Sequence, residues 1–554
     1  MNNREIAFRL EQHARLLGIA GENAFRARAF SRAAATIRDL PEQLTSVAAA
    51  SQLRTISGVG EGIATAIEQL IASGQFTAHL DLTSRVPESL LELTSVPGVG
   101  PKTALRLYSA LGIKDQASLE AMLPSGRIAS TPGLGKGVES TIREGIEAIQ
   151  RRSGRVPLGV ALPLARSLMS DFSISLPQTA IFLAGSARRW SETVGDLDFV
   201  AVTDDAKRVE SVVNAIAGVS SVTRTSRQSF HITFGEVIAA DIFLTPAETL
   251  GSTLVRATGN AEHLARLGEL SDAPTEELVY AARGLPWIPP ELRTGGPEFR
   301  RWSEIPALVT KGDIRGDLHS HSTWSDGSAS ILEMVNAAGT LGYKFLAITD
   351  HSHGLGVAGG LDEIRLAAQR QAIAAVQREI GESVQLFAGA EVEVHRDGSL
   401  DYDNDTLSAL DIVVASLHSG LRQPRAQLSA RLDRVLRNPQ VDIIAHPSGR
   451  LVERREGGDF DWNEVFATAA GTGTALEINA DPARLDLKAE HAERASAAGC
   501  LISINCDAHN PAGFASLEYG IAVARRAWLK PGDIINCWPR DAVVAWLKDR
   551  GNRN

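Results

Sequence analysis

Residues 316–327 read GDLHSHSTWSDG, and this stretch decides the fold of the C-terminal half of the chain. His319 and His321 alternate after a short apolar start, so on a strand both side chains point the same way, and Asp326 follows closely. Imidazole nitrogens and carboxylate oxygens are ligands that suit Zn²⁺, Mn²⁺ or Fe²⁺. The pattern predicts a short strand that delivers metal ligands at its carboxyl end.

Five further stretches repeat this arrangement: FLAITDHS, FAGAEVEV, DIVVASLHSG, VDIIAHPSGR and ISINCDAH. A single histidine after a strand is more often a hydrogen-bonded core residue, but six such stretches in one span favour a ligand cluster. Ligands placed after short buried strands are typical of a β/α barrel, which collects them on one rim. The added candidate ligands are His351, Glu391, His418, His446, Asp507 and His509. Three nearby acids are expected to orient ligating imidazoles: Asp350, Glu393 and Glu477.

A cluster of divalent ions indicates one kind of chemistry. Such ions lower the pKa of bound water and stabilise charge on the attacking and leaving oxygens of a phosphoester. Hydrolysis of a phosphate ester or diester is therefore the expected reaction of this region. Arg450 and Arg484, in HPSGR and NADPARLDL, are candidate clamps for the substrate phosphate because guanidinium groups bind phosphate bidentately.

The N-terminal part contains three G-x-G turns, each followed by an apolar helical pattern: ISGVGEGIATAIEQL, VPGVGPKTALRLY and TPGLGKGVESTIREGI. Glycines permit the tight turn, and amides at the following helix start can hold a phosphate, so we predict helix–hairpin–helix units that grip the DNA backbone. The net charge of −10 argues against nucleic acid, yet the first forty residues carry seven arginines against four acids. The predicted DNA-binding residues are Gly58, Gly60, Gly98, Gly100, Lys102, Gly133, Gly135 and Lys136.

Residues 181–202, IFLAGSARRWSETVGDLDFVAV, predict a nucleotidyltransferase site. Asp196 and Asp198 alternate on a strand and can bridge two Mg²⁺ or Mn²⁺ ions, and Asp241 in VIAADIFLTP supplies a third acid. Acids among apolar strand residues are costly unless they bind metal. Three residues are predicted to hold triphosphate oxygens: Gly185, Ser186 and Arg189.

Along nearly its whole length the chain resembles bacterial X-family DNA polymerases that carry a C-terminal PHP (polymerase and histidinol phosphatase) domain. GENAFRARAF resembles the N-terminal lyase-like domain, GSARRWSETVGDLDF the palm motif, and DIRGDLHSHSTWSDG the start of the PHP domain. The resemblance implies a distorted seven-stranded β/α barrel with three metals. Its ligand sets would be His319, His321, Glu391 and Asp507; Glu391 bridging to His418 and His446; and Asp326, His351 and His509.

The same resemblance implies a function. Asp196, Asp198 and Asp241 would bind the catalytic metals, and Gly195 would join the nucleotide contacts. The family pairs gap-filling DNA synthesis with 3′-5′ exonuclease and apurinic-site activities, which is consistent with base-excision repair. The implied partners are gapped or primer-template duplex with its 3′ ends, and dNTPs, bound by a monomer. A small-phosphate phosphatase of the histidinol type would leave the three hairpins unused.

Departures from the family pattern keep an alternative open. Lyase-competent relatives carry lysines where this chain has Gly62 and Ala66, so Schiff-base lyase action is not expected. In the thumb, four family positions that contact nucleotide and template are altered here: Arg256, Ala257, Leu264 and Gly268. The alternative is a DNA-binding PHP nuclease with a degenerate, inactive polymerase domain.

Length and composition predict a multidomain protein. The chain has 554 residues, 44% of them hydrophobic, with no run of eighteen apolar residues and no signal pattern, so a cytoplasmic location without membrane contact is expected. Its three cysteines lack the paired spacing of a disulfide framework or zinc ribbon. The predicted map is a lyase-like helical domain with the first hairpin (1–80), the second and third hairpins (81–152), an α/β palm (153–250), a short thumb (251–292), a linker (293–312) and the barrel (313–554).

Overall fold

The computed structural model describes residues 3–38, 40, 43–94, 96, 98–151, 154–216, 219–234 and 238–549. The chain forms two compact units, Met1–Ser153 and Gly154–Asn554. The predicted boundary between residues 152 and 153 lies outside the described residues. Within the described ranges, no helix combines the length and the apolar character that crossing a bilayer requires.

The N-terminal unit is helical in all its described elements. The helical spacing of Ile6, Leu10 and Leu17 is confirmed, since all three side chains are buried in the core of this unit. Gly74 and Gly112 end two helices in the left-handed conformation that favours glycine. The helices are α1 Asn3–Ala20, α2 Ala24–Arg38, α3 Leu44–Ala49, α4 Glu61–Ser73, α5 Thr77–Thr83, α6 Leu90–Leu93, α7 Pro101–Leu111, α8 Gln116–Met122, α9 Arg127–Ser130 and α10 Gly135–Arg151.

The second unit begins with the palm, whose elements are β1 Val156–Pro157, α11 Leu158–Ser175, β2 Ile181–Leu183, α12 Gly185–Arg188, β3 Thr193–Val194, β4 Asp196–Val202, α13 Ala206–Ala215, β5 Val219–Ser226, β6 Ser229–Phe234 and β7 Ile238–Thr245. Its sheet has the strand order β2-β4-β7-β6-β5. The parallel pair β4 and β7 brings two distant acidic stretches side by side. Alternate residues of β7 are buried, as expected for a strand with one face on a core.

The thumb consists of α14 Leu250–Thr258, α15 Ala261–Leu267 and α16 Glu276–Ala281, and the short helix α17 Pro297–Arg300 follows it. Arg188 of the palm and Arg293 both contact Glu276, at 2.8 and 2.6 Å. Although burial raises the pKa of this carboxyl, hydrogen bonds from Arg293 and Arg188 lower it to about 2. This buried ion cluster ties the thumb to the palm.

Residues 293–312, which their glycines, prolines and lack of periodicity predict to be a linker, are packed against the rest of this unit. They include α17, and Glu298 is fully buried, where it accepts hydrogen bonds from the Gly296 amide and approaches His263 Nδ1 at 3.0 Å. Arg293 is fully buried as well. Because polar side chains make these contacts, the segment packs tightly without showing any hydrophobic periodicity.

The rest of the unit is a β/α barrel of seven parallel strands in the order β14-β13-β12-β11-β10-β9-β8. The predicted alternation of strands and helices is confirmed. The elements are β8 Gly316–Asp317, α18 Ile331–Thr340, β9 Phe345–Ile348, α19 Glu363–Ile380, β10 Gln385–Glu393, α20 Asn404–Ser408, β11 Ile412–Ser416, α21 Arg425–Leu436, β12 Ile443–Ile444, α22 Trp462–Thr472, β13 Ala475–Asn479, α23 Ala489–Ala497, β14 Ile502–Asn505, α24 Leu517–Arg526 and α25 Arg540–Lys548.

The seam between the first and last strands of the barrel is closed by side-chain amides. Asn505 Oδ1 accepts a hydrogen bond from the Leu318 amide at 3.0 Å, and Asn536 Nδ2 donates to the Gly316 carbonyl at 3.0 Å. Just beyond these strands, Ser320 and Ala508 form a single parallel bridge. The seam therefore sets β8 beside β14 at the rim where both strands end.

Candidate functional site

Each of the three hairpins turns on a glycine with positive φ. Gly58, Gly98 and Gly133 have φ values of 83°, 89° and 83°, which favour glycine. Gly60 and Gly100 cap the starts of α4 and α7 in extended conformation, and a Cβ at either would meet open space. The backbone at these helix starts therefore faces solvent, as a phosphate site requires.

The remaining predicted hairpin residues lie on the same kind of surface. Gly135 has φ 79° and begins α10 with nothing within 4 Å of its Cβ position. Lys102 and Lys136, in the first turns of α7 and α10, are exposed. At the positions where relatives carry lyase lysines, Gly62 is exposed and Ala66 is buried, so neither supplies an amine.

The palm brings its three predicted acids together. Asp196 and Asp198 lie on β4, and Asp198 stands directly opposite Asp241 of β7. Burial, followed by the charges of Asp196 and Asp241, raises the pKa of Asp198 to about 7. Converging carboxylates repel one another until a cation neutralises them, so this cluster fits divalent ions.

His231 is a further residue of this cluster that sequence analysis missed. It lies on β6 opposite Asp241, with its Nδ1 2.9 Å from Asp241 Oδ1. No motif surrounds it, and only the register of β6 against β7 reveals its position.

Gly185 and Ser186 form the turn beneath the acidic cluster. Gly185 has φ 61°, and a Cβ there would lie 1.7 Å from Asp198 Oδ2, so the site requires glycine. Ser186 Oγ is buried and has no hydrogen-bond partner among the described residues, which leaves it available to a ligand. Arg189 Nη1 donates to the Thr258 carbonyl of the thumb at 2.5 Å. The turn thus lies between the carboxylates and the thumb.

Gly195 separates β3 from β4 immediately before Asp196. A Cβ at this position would stand 3.5 Å from Arg155 Nη1, and Arg155 itself donates to the Thr193 carbonyl. Gly195 therefore lies where predicted, in the loop that leads into Asp196.

All nine predicted barrel ligands gather at the C-terminal rim. Most are buried, and each follows or ends a strand, as the sequence pattern predicts. Their positions are His319, His321 and Asp326 after β8; His351 after β9; Glu391 near the end of β10; His418 after β11; His446 after β12; and Asp507 and His509 after β14.

Glu391 lies at the centre of this cluster. Its Oε2 is 2.7 Å from His351 Nδ1 and 3.5 Å from His319 Nε2. Its Oε1 is 3.0 Å from His446 Nε2 and 3.4 Å from His418 Nε2. The two oxygens therefore face different imidazoles, which is the arrangement of a bridging carboxylate.

Asp507 and Asp326 complete the cluster on either side. Asp507 Oδ1 is 3.0 Å from His321 Nε2, while Asp326 Oδ1 is 3.3 Å from His509 Nε2 and its Oδ2 is 3.6 Å from His351 Nε2. Three sets of side chains place one ligand atom each within 4.8 Å of one another: His319, His321 and Asp507; His351, Glu391 and His418; and His321, Asp326, His351 and His509.

These sets largely reproduce the grouping that the family resemblance implies. His351 belongs to two of them, and His321 is shared as well. His446 lies outside all three, although its Nε2 approaches Glu391 and its Nδ1 is buried without a hydrogen bond.

The donor atoms of the cluster fit metal ions. Six buried atoms lack any hydrogen bond of acceptable geometry among the described residues: His319 Nε2, His321 Nδ1 and Nε2, Glu391 Oε2, His446 Nδ1 and Asp507 Oδ1. An unsatisfied buried polar atom costs about 1–3 kcal/mol. Divalent cations would satisfy these nitrogen and oxygen donors together, so the residues present match a multinuclear site.

Two of the three predicted orienting acids contact imidazoles. Glu477 accepts from His319 Nδ1 at 2.9 Å and from the His446 amide at 2.8 Å. Glu393 Oε2 is 2.7 Å from His418 Nδ1. Such contacts fix the ring and direct the other nitrogen to the metal.

Asp350, the third of these acids, binds residues of a loop and contacts no imidazole ring in the described structure. It accepts hydrogen bonds from the Ser322 amide at 2.8 Å, from Ser325 Oγ at 2.5 Å and from Gln369 Nε2 at 2.8 Å. This acid therefore fixes the segment that carries Asp326.

The two candidate arginine clamps have different surroundings. Arg484 Nε is 3.9 Å from Asp507 Oδ2, so this arginine lies beside one of the predicted metal ligands. Arg450 differs from the prediction, because its guanidinium is engaged by Glu192 of the palm at 2.7 and 3.0 Å. The sequence could not show this partner, which belongs to another domain.

Family models match three parts of the chain. A helix-hairpin-helix domain model matches residues 1–76, a SAM-like helix-hairpin-helix tandem model matches residues 90–148, and a PHP domain model matches residues 317–470. These ranges coincide with the hairpins and with the part of the barrel that holds most of the ligands.

Known proteins are similar over the whole chain or over the barrel. The DNA polymerase/3′-5′ exonuclease PolX of Bacillus subtilis is 36% identical over 571 residues, which cover 99% of this chain and all of that protein. A probable phosphatase of Syntrophotalea carbinolica is 27% identical over 40% of this chain and 90% of its own length. A probable phosphatase of Shewanella sp. strain MR-4 is 25% identical over 43% of this chain and 93% of its own length.

Proposed function

This chain belongs to the family of bacterial X-family DNA polymerases that carry a C-terminal PHP domain, and we propose that it is a DNA repair enzyme that both fills short gaps and degrades 3′ ends. Synthesis takes place in the palm, and phosphodiester hydrolysis takes place at the rim of the barrel. The substrates are gapped or primer-template duplex and dNTPs. We propose that the chain acts as a monomer in the cytoplasm, where DNA and dNTPs are found.

In the palm, the residues of this chain position the reactants. Asp196, Asp198 and Asp241 would hold two Mg²⁺ or Mn²⁺ ions, whose charge would offset that of the triphosphate and favour attack by a primer 3′-hydroxyl. Ser186 Oγ has no hydrogen-bond partner among the described residues and would donate to a phosphate oxygen, while Gly185 leaves the space that the Asp198 carboxylate occupies. Arg189 and Gly195 complete the nucleotide contacts.

In the barrel, the nine predicted ligands would bind the metal ions that hydrolysis requires. The donor atoms would hold up to three Zn²⁺, Mn²⁺ or Fe²⁺ ions, which would supply activation of water and stabilisation of the leaving oxygen. Glu477 and Glu393 hold His319 and His418 in their ligating orientation. Arg484, whose Nε lies 3.9 Å from Asp507 Oδ2, would bind the substrate phosphate.

The hairpins supply a grip on DNA that does not depend on sequence. Their exposed helix starts and the lysines at positions 102 and 136 suit backbone phosphates. A phosphatase acting on small phosphates would need none of these groups.

One observation supports the nuclease half of the proposal: nine imidazole and carboxylate side chains meet at one rim, and buried donor atoms among them lack hydrogen bonds within the described residues. The test is a labelled primer-template assay in Mn²⁺ and in Mg²⁺, with and without dNTPs. The parental protein should shorten the primer without dNTPs. His319→Ala and Asp507→Ala should each remove most of that shortening, and parental rates in both variants would refute the metal site.

The synthesis half is tested in a background that cannot degrade the primer. With His319→Ala, a short gap should be filled slowly, and the further change Asp198→Ala should abolish filling. His231→Ala in the same background measures the contribution of the residue beside Asp241. Filling that persists without Asp198 would mean that the catalytic acids lie elsewhere.

A second candidate function is supported by the thumb. Arg256 directs its guanidinium to the Leu270 carbonyl at 3.1 Å and lies 3.7 Å from Asp272, so it packs within the thumb itself. Ala257 packs against the palm beside Ala184 and offers no aromatic surface to a nucleotide. These features favour a DNA-binding nuclease with an inactive polymerase domain. If that is the function, the His319→Ala protein should fill no gap in either Mg²⁺ or Mn²⁺.

A further inference from the structure

Residues 189–192 form the palm loop that joins the turn at Gly185 and Ser186 to β3, and this loop packs directly on the barrel. Arg526 of α24 donates to the Trp190 carbonyl at 2.8 Å, and the Trp190 ring packs edge-on against Tyr519 at 5.6 Å. Near this loop, a Cβ at Gly159 would lie 2.6 Å from the Pro482 ring. The two catalytic domains therefore meet at close range around this loop.

Glu192, on the same loop, makes a bidentate polar contact across this interface. Its two carboxylate oxygens accept hydrogen bonds from both terminal nitrogens of Arg450, at 2.7 and 3.0 Å. Only 14% of the Arg450 side chain and 31% of the Glu192 side chain are exposed. A bidentate pair of this kind is directional as well as attractive.

Arg450 uses its remaining donors inside the barrel. Its Nε donates to the Arg484 carbonyl at 2.9 Å, and Nη2 also donates to the Leu485 carbonyl. Arg450 follows β12 and the ligand His446 in the loop HPSGR. One guanidinium therefore joins the palm to two barrel loops, 446–450 and 480–487.

Those two loops border the metal ligands. Asp486 accepts hydrogen bonds from the amides of Ser448 and Gly449, at 3.1 and 2.8 Å, which fastens one loop to the other. Arg484 Nε lies 3.9 Å from the ligand Asp507. A shift of either loop would therefore reach the ligands directly.

The backbone at these positions is strained and needs external support. His446, Leu485 and Asp507 have φ values of 30°, 47° and 52°, a region that residues with a Cβ rarely adopt. Such conformations cost about 1–3 kcal/mol each and persist only where the surroundings enforce them. The hydrogen bonds from Arg450 provide part of that enforcement, and Glu192 fixes Arg450.

We propose that Glu192 and Arg450 are positioning residues for the hydrolytic reaction of the barrel, so that the polymerase domain helps to hold the phosphoesterase site in its active geometry. The inference rests on the proposed nuclease function. Neither side chain touches the substrate, and both act through loops 446–450 and 480–487. Removal of Glu192 should therefore affect metal binding and turnover more than the capture of DNA.

A second ion pair between the same domains provides a matched control. Arg166 of α11 binds Glu518 of α24 bidentately, at 2.6 and 2.7 Å. In the part of the chain that the structure describes, this pair makes no hydrogen bond to loops 446–450 or 480–487. Arg166→Ala thus removes an interdomain ion pair of equal geometry without disturbing the metal ligands.

The test compares Glu192→Ala, Arg450→Lys and Arg166→Ala in the full chain. Mn²⁺ binding is followed by the electron paramagnetic resonance of free Mn²⁺, and turnover is measured on 3′-labelled DNA and on bis(p-nitrophenyl) phosphate. Glu192→Ala and Arg450→Lys should weaken Mn²⁺ binding and lower kcat on both substrates by roughly tenfold, with little change in KM for DNA. The lysine can reach Glu192 but cannot bond four acceptors at once.

Thermal unfolding of each variant separates positioning from loss of fold. Arg166→Ala should match the parent in Mn²⁺ binding and turnover. If Glu192→Ala also matches the parent in both, or loses activity only in proportion to unfolded protein, the inference is overturned. A parent that binds Mn²⁺ but hydrolyses neither substrate would refute the proposed function, while Mn²⁺ binding by the variants would still decide the inference.

Discussion

Replacement of Glu477 by glutamine should weaken metal binding in the barrel without changing its shape. Glu477 is fully buried on β13 and accepts four hydrogen bonds. Oε1 accepts from His319 Nδ1 and Asn505 Nδ2, both at 2.9 Å. Oε2 accepts from the His446 amide at 2.8 Å and from Asn479 Nδ2 at 3.2 Å. A glutamine has one oxygen and one NH₂ group in place of the two oxygens. In either orientation, its NH₂ group would therefore face two hydrogen-bond donors at a position where Glu477 has an acceptor.

The size of the effect follows from these contacts. Loss of a carboxylate that orients a ligating imidazole reduces metal affinity or activity by about 10- to 100-fold. That range corresponds to about 1.4–2.7 kcal/mol of binding free energy. Because Glu477 supports both His319 and the backbone of His446, we expect the upper part of the range.

The assay is the Mn²⁺ dependence of 3′-end release, together with calorimetric Mn²⁺ titration of the same protein. Asp442→Asn is the matched control. Asp442 is also a fully buried barrel carboxylate and accepts from the Val413 amide at 2.8 Å, but it precedes β12 whereas the ligand His446 follows it. The control change should lower thermal stability and leave the half-saturating Mn²⁺ concentration unaltered. A Glu477→Gln protein with parental half-saturation would refute the orienting role.

Three further predictions concern the other parts of the molecule. Gly185→Ala should abolish primer extension and leave 3′-end degradation intact, because its Cβ would occupy the position of Asp198 Oδ2; extension at the parental rate would contradict the site. Glu276 has its pKa lowered to about 2 from an ordinary 4.5, so its contribution of about 3 kcal/mol is present above pH 4.5 and is lost as pH falls towards 2. Urea unfolding should therefore show Glu276→Gln to be less stable than the parent at pH 7 by about that amount, with a difference that narrows below pH 4.5; a constant difference would contradict the ion cluster. Lys102→Ala and Lys136→Ala should each reduce the slope of log affinity against log salt by about one for gapped DNA of any sequence, and unchanged slopes would place the phosphate contacts elsewhere.

The sequence predicted that the nine candidate ligands would gather at one rim because their placement is local. Every candidate ligand except Asp326, which lies further along the loop after β8, is within a few residues of a strand, so the parallel barrel brings His319, Glu391 and Asp507 together without further information. The turn glycines of the hairpins are local in the same sense, since Gly58 and Gly98 need only their own backbone conformation.

Contacts that depend on domain packing or strand register could not be predicted. Glu192 and Arg450 are 258 residues apart and meet only when the palm docks on the barrel. His231 contacts Asp241 only through the register of β6 and β7. Residues 293–312 had the composition of a linker, yet Glu298 is buried there by polar contacts that leave no periodic pattern.

The seam of the barrel has a consequence for the order in which the protein is made. His319 and Asp507 face each other across it at 3.6 Å, although one follows the first barrel strand and the other follows the last. During synthesis the ribosome adds Asp507 long after His319, and β14 cannot close the seam before then. A nascent chain interrupted at any earlier point lacks part of the ligand cluster, so hydrolysis of DNA is withheld until the barrel is complete.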